Sequence, residues 1–213
     1  MKTVHFVRHG ETEQNKDGIW QGHTNTQLSK TGKAQAKLLS KRINLKNQTV
    51  FTSDLARAKE TAYFLSDSPN VRENLREINV GDFTGKSVKK TYSNNLDIFD
   101  ALQDDTYVFP NGESVQEFKQ RVHQEVDYIF DNIDEDSECI VVTHGFFIGT
   151  AIGLVLGFNQ YPYPIGNIQN TSVSTVIKRD SVMQVNKFND AIHLPNSYIC
   201  LLYTSDAADD TSG

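Results

Sequence analysis

Cysteine is nearly absent from this chain, and the two that occur, Cys139 and Cys200, have no partner at a disulfide or metal-site spacing. A disulfide scaffold and a thiolate metal centre are thereby excluded, and Cys139, which opens an apolar segment, reads as a small core residue. No apolar run approaches the roughly 18 residues of a membrane span, and no signal-peptide pattern precedes the first strand. Histidine, aspartate and glutamate form no cluster with ligand spacing, so neither a metal nor another cofactor is expected. An excess of positive charge is missing too. The formal net charge is −6, which argues against nucleic acid or an anionic membrane as the main partner. Proline is scarce, at five residues in 213, and no linker, repeat or low-complexity stretch divides the chain. This length suits one domain with a continuous core, and a cytoplasmic location follows as the default expectation.

What is present is an alternation of strand and helix patterns. Met1 to Val7 reads as a short buried strand, followed by a helix from the N-cap Ser29 to Ile43. Thr49 to Thr52 is a second strand and Leu55 to Leu65 a second helix. A further helix is expected over Leu96 to Leu102. Val115, Phe118, Val122, Val126, Ile129 and Ile133 recur at steps of three and four, marking one helix over Ser114 to Ile133. Glu138 to Thr143 is a buried strand and Phe146 to Gly157 an apolar helix. Val173 to Lys178 and Val182 to Phe188 form a closing hairpin around Arg179-Asp180-Ser181. The order predicts an α/β fold: a single three-layer domain whose mainly parallel central sheet carries helices on both faces. It should occupy residues 1–199. Residues 200–213, small and acidic, look like a non-native adaptor translation or a disordered tail.

Five segments carry the chemistry. Phe6-Val7-Arg8-His9-Gly10-Glu11-Thr12 delivers an arginine and a histidine at a strand's C-terminal end, the edge where open α/β sheets bind ligands. A guanidinium can hold a phosphate by charge-assisted bonds, and a neutral imidazole can attack phosphorus; a surface pair in a loop is the plainer alternative. Thr52-Ser53-Asp54-Leu55-Ala56-Arg57 opens a helix. Leu75-Arg76-Glu77-Ile78-Asn79-Val80-Gly81 sets a carboxylate four residues before a glycine. Asn111-Gly112-Glu113-Ser114 is a helix entry. Ile140-Val141-Val142-Thr143-His144-Gly145 runs a strand into a second histidine-glycine pair.

In this order the segments resemble the histidine phosphatase superfamily, in its phosphoglycerate mutase-like branch, from Thr3 to about Ser197. The resemblance implies that His9 becomes phosphorylated, that Arg8, Arg57 and His144 clamp the transferred group, and that the Gly145 N–H at a helix start assists them. Arg57 could instead pair with Glu60 or Asp54. Asn15 resembles the family's loop asparagine near the phosphate, although Gln14 stands where a tryptophan is common. Gln21 and Gly22 resemble a second loop element near the substrate, or are a polar turn. Glu77 is the candidate proton donor, with an exposed loop glutamate as the alternative. Among the other histidines, His5 reads as structural, His23 as solvated, with reach to substrate as the alternative, and His123 as lying on a polar helix face, while the resemblance implies that His193 packs near the pocket without acting in catalysis. Within the family, mutases carry a longer basic insertion after the acid. Here Ile78 to Asn111 holds no arginine, only Lys86, Lys89 and Lys90, with Tyr92, Phe99, Leu102, Tyr107 and Phe109. The expectation is therefore a phosphatase of small phosphomonoesters, with a cofactor-dependent mutase as the alternative and a catalytically dead binding module as a third reading. Oligomeric state is left open.

Overall fold

The computed structural model describes residues 1–43, 48–94, 104–158 and 167–198. Six strands form one sheet: β1 (Lys2–Arg8), β2 (Thr49–Ser53), β3 (Asn70–Arg72), β4 (Glu138–Thr143), β5 (Val173–Arg179) and β6 (Val182–Asp190), in the order β3-β2-β4-β1-β5-β6. Pairing is parallel from β3 through β2 and β4 to β1, and antiparallel from β1 to β5 and β6. The helices are α1 (Glu13–Lys16), α2 (Lys30–Arg42), α3 (Ala56–Tyr63), α4 (Val88–Asn94), α5 (Val115–Asp131) and α6 (Gly145–Val155).

The strands' alternating side chains separate two cores. Val4 and Phe6 of β1 and Cys139 and Val141 of β4 pack with α5 and α6 residues such as Phe118, Val122 and Ile148. Val7, Ile140 and Val142 pack on the other side with Leu39 of α2 and Ala58 and Ala62 of α3. A strand presents successive residues to opposite faces, so this division is the three-layer arrangement itself. Two helix starts follow from local chemistry. Ser29 Oγ accepts from Gly32 N–H at 3.0 Å to cap α2, and Ser114 with Glu117 forms a reciprocal capping box on α5.

Helix α3 is shorter than expected, ending at Tyr63, and the strand boundaries shift by one or two residues. The expected Leu96 to Leu102 helix and the 200–213 tail lie outside the described residues. Edge strand β3, only three residues long, is fixed through Arg72, whose guanidinium pairs with the buried Glu125 carboxylate of α5.

Candidate active site

Strands β1 and β4 are adjacent, parallel and in register, with Arg8 opposite Thr143. The residues that follow each of them, His9 and His144, are therefore neighbours. Their ring centroids are 5.2 Å apart and meet edge to face. His9 is 2% and His144 0% exposed. His9 Nδ1 lies 2.7 Å from the Gly10 carbonyl oxygen, which can only accept. Nδ1 therefore carries the ring proton, and Nε2 keeps its lone pair. Burial, then the charges of Arg57 and Arg8, push the pKa of both histidines well below the ordinary value, and both rings are neutral at neutral pH.

Arg57 is 1% exposed, and its guanidinium donates to the Thr24 and Gly22 carbonyls at 2.8 and 2.9 Å. It does not pair with Asp54, which holds Arg76, or with Glu60, which accepts from Leu28 N–H. Burial pulls its pKa down to about 10, with Glu77 acting against that and Arg8 adding to it, so Arg57 remains a cation. Arg8 is held by Nη1 on the Ile168 carbonyl. Two buried polar atoms, Arg57 Nε and His144 Nδ1, have no hydrogen-bond partner among the described residues. Orphaned polar groups at this depth are costly unless a ligand completes them, and two beside the Arg57 and Arg8 cations suit an anion. Ser53 Oγ lies 2.9 Å from His144 Nε2; a hydroxyl hydrogen given to Nε2 leaves the ring proton on Nδ1.

The loop between β1 and α2 is fixed from outside. Gly10 N–H donates to Thr61 Oγ1 of α3, and Glu11 N–H to Gln35 Oε1 of α2, each at 2.9 Å. A Cβ on Gly10 would stand 2.6 Å from the Gly32 carbonyl oxygen, and one on Gly32 would stand 2.1 Å from that of Glu11. Only two glycines allow this approach of backbone to backbone. The Asn15 side chain closes a capping box with Thr12 at the start of α1. With its Oδ1 engaged there, Asn15 has only its amide hydrogens to offer an anion. Gln21 Oε1 accepts from Thr12 Oγ1 and Thr26 Oγ1, which makes Gln21 a latch of this loop. Gly22 contributes the carbonyl that holds Arg57.

Glu77 lies across from these groups. Its carboxylate accepts from Phe146 and Phe147 N–H, in the first turn of α6, at 3.2 and 3.3 Å, and from its neighbour Ile78 N–H at 3.1 Å. Burial of the carboxyl raises its pKa, against the lowering pull of the Phe146 N–H, Arg57, the Ile78 N–H and Arg8. Gly145 opens the same helix. The structure thus brings Arg8, His9, Arg57, His144, Glu77 and Gly145 to one place, with Asn15, Gln21 and Gly22 on the loop beside them.

One expectation is corrected here. His23, read as solvated, is half-buried, and its Nε2 lies 2.8 Å from the Glu77 carbonyl oxygen. Its neighbours reach that carbonyl too: Arg121 donates to the Arg76, Glu77 and Asn74 carbonyls and pairs with Glu113 at 2.7 Å. Thr61, Gln35 and Asn170, whose amide donates to the His9 carbonyl at 2.9 Å, also escaped sequence reasoning. Asn170-Thr171-Ser172, a polar run before an apolar strand, was the one available signal, and it reads as an ordinary turn.

Residues 4–191 match the histidine phosphatase superfamily, branch 1. The chain belongs to this superfamily. It is 30% identical over 188 residues to a protein of Erwinia tasmaniensis named as a probable phosphoglycerate mutase, GpmB, covering 85% of this chain and 87% of that one. Among solved structures it resembles the phosphoserine phosphatase of Entamoeba histolytica in complex with 3-phosphoglyceric acid, at TM-score 0.82 and 25% identity, covering 92% of this chain and all of that one (100%). It shares its fold with the mycobacterial glucosyl-3-phosphoglycerate phosphatase, solved with VO3, at TM-score 0.80 and 24% identity, covering 89% and 100% of the two chains. The expected histidine phosphatase fold and family are those observed. No helix among the described residues is long and apolar enough to cross a membrane.

Proposed function

We propose that this histidine phosphatase hydrolyses small phosphomonoesters through a phosphohistidine formed on His9 Nε2. The observation that carries the reading is the 2.7 Å contact of His9 Nδ1 with the Gly10 carbonyl, which leaves a neutral imidazole nucleophile between two guanidiniums. The Nε2 lone pair forms the N–P bond as the P–O bond to the alcohol breaks, and Glu77 gives the departing oxygen its proton. Water then attacks phosphorus, Glu77 takes a proton from it, and the pair of electrons in the N–P bond returns to His9. Arg8, Arg57, the His144 ring N–H and the Gly145 N–H stabilise the equatorial oxygens throughout, with Asn15 at the loop. The named phosphatases among the relatives support a small phosphorylated metabolite as substrate. Two fixed guanidiniums supply the charge stabilisation, and the proposal is of a metal-independent, cytoplasmic enzyme.

The test is labelling by a phosphoryl donor. Wild type should give an acid-labile, base-stable adduct and release inorganic phosphate, insensitive to chelators and inhibited by vanadate. His9→Ala should keep the fold and lose both adduct and turnover; retained turnover would remove His9 from the role. The mutase reading is favoured by the names of the GpmB relatives. Against it, the stretches 78–94 and 104–111 contain no arginine, and Lys86 lies over the Phe83 ring, 5.2 Å from its centroid. Interconversion of monophosphoglycerates, dependent on bisphosphoglycerate and faster than phosphate release, would decide for the mutase.

A further inference from the structure

Behind the phosphate site, a chain of polar side chains runs from the end of α2 to the loop that enters β5. Arg42 pairs through Nη2 with the Asp190 carboxylate, and its Nη1 donates to the Asp190 carbonyl at 3.3 Å and to His193 Nδ1 at 3.2 Å. A guanidinium has only hydrogens to give, so His193 Nδ1 must accept and its ring proton must sit on Nε2. Nε2 lies 3.1 Å from Thr171 Oγ1 and donates to it. Burial, reinforced by the Arg42 charge and opposed by Asp190, pulls the His193 pKa down to about 4, in keeping with the neutral tautomer.

Thr171 is fully buried and has φ +57°. A β-branched residue in the left-handed region is a genuine outlier, which persists only where its surroundings enforce it. The loop it belongs to grips β1 at its catalytic end. Thr171 N–H donates to the Arg8 carbonyl at 2.9 Å, and Arg8 N–H donates to the Ser172 carbonyl at 3.3 Å. Asn170 Nδ2 donates to the His9 carbonyl at 2.9 Å, and the Ile168 carbonyl receives the Arg8 guanidinium.

We propose that His193 is a positioning residue: held by Arg42, it catches the Thr171 hydroxyl and keeps the 168–172 loop in the strained form that sets Arg8 and His9. The inference rests on the role given above to Arg8 and His9. It places a determinant of the phosphoryl clamp on a side chain whose ring nitrogens are taken up by Arg42 and Thr171.

Steady-state kinetics of four variants, with vanadate affinity as a readout that needs no turnover, test it. His193→Phe removes both hydrogen bonds. It should lower kcat by about tenfold to a hundredfold, the scale of a small misplacement of reacting groups, equally for alkyl and aryl phosphates. Vanadate binding should weaken in parallel. His193→Gln, whose amide can accept from Arg42 and donate to Thr171, should restore most of the rate. Glycine adopts φ +57° without strain, so Thr171→Gly in the His193→Phe background should recover activity relative to His193→Phe alone. If His193→Phe does not fold, Thr171→Val removes the same catch and should show the same loss. A folded His193→Phe with wild-type kcat and vanadate affinity would overturn the proposal, as would a folded double variant no better than the single one. A wild type that neither hydrolyses phosphomonoesters nor binds vanadate would instead overturn the functional reading beneath it.

Discussion

His9 and Glu77, the proposed nucleophile and acid, lie in environments that shift their proton affinities in opposite directions. His9 is pushed down by burial and by Arg57 and Arg8, while Glu77 is pushed up by burial. An imidazole with a lowered pKa stays a nucleophile below pH 6.5, so the acid limb of kcat/KM should lie below that value. The basic limb should follow loss of the Glu77 proton and vanish in Glu77→Gln. In kcat/KM, which reports formation of the phosphohistidine, that variant should be severely impaired on an alkyl phosphate and little impaired on p-nitrophenyl phosphate, whose phenolate leaves unaided. His23 gives its Nε2–H to the Glu77 carbonyl, so His23→Ala should show the same dependence on leaving group in weaker form. Equal losses on both substrates would show that His23 does not steady the acid.

At the scale of elements, the site depends on how closely the β1–α2 loop approaches the first turn of α2. Gly32→Ala should displace the loop, because its Cβ would fall 2.1 Å from the Glu11 carbonyl oxygen and 2.8 Å from Glu11 N. The cost should be about 1–3 kcal/mol of stability, measured by urea titration, together with a loss of kcat. The large elements were legible because their signals are local. The three-and-four spacing from Val115 to Ile133 gave α5, Ser29 marked the start of α2, and β1 and β4 each run straight into a histidine-glycine pair. Strand β3 was missed because three residues, two exposed and none buried, carry no alternation. His23, Thr61 and Asn170 were missed for another reason. They act across 54, 51 and 161 residues of sequence, and no periodicity encodes such pairings. His193 was legible as a residue near the pocket, but its link to Thr171 depends on a backbone angle that composition does not reveal.

For the whole molecule, the buried His9 and His144 and the half-buried His23 and His193 link folding to protons. The folded pKa values of His9, His23, His144 and His193 all lie below the unfolded value near 6.5, and that of His193 is about 4. Between the folded and unfolded values the unfolded chain binds more protons, so stability falls as pH drops through this window. Glu77, raised above 4.5, acts in the reverse sense over the range between its own two values, because the folded state holds its proton longer. The Tm of wild type should therefore fall on acidification from pH 7 to 5. His193→Gln, with no proton to gain, should show a shallower decline by scanning calorimetry; an unchanged slope would mean that His193 is not held neutral.

His9, the proposed nucleophile, hangs from the paired centre of the sheet, whereas Glu77, the proposed acid, sits on a loop tied down by His23, Arg121 and the first turn of α6. These attachments should fall in different cooperative units of the chain, with the loop opening at lower free energy than the β1–β4 pair. In amide hydrogen exchange, β1 and β4 should be protected close to the global limit while residues 76–85 exchange through a partial opening. At subsaturating substrate, where formation of the phosphohistidine is read, dilute urea should then act as a selective inhibitor, suppressing the reaction of alkyl phosphates before that of p-nitrophenyl phosphate. The chain would become, reversibly, an enzyme for good leaving groups alone.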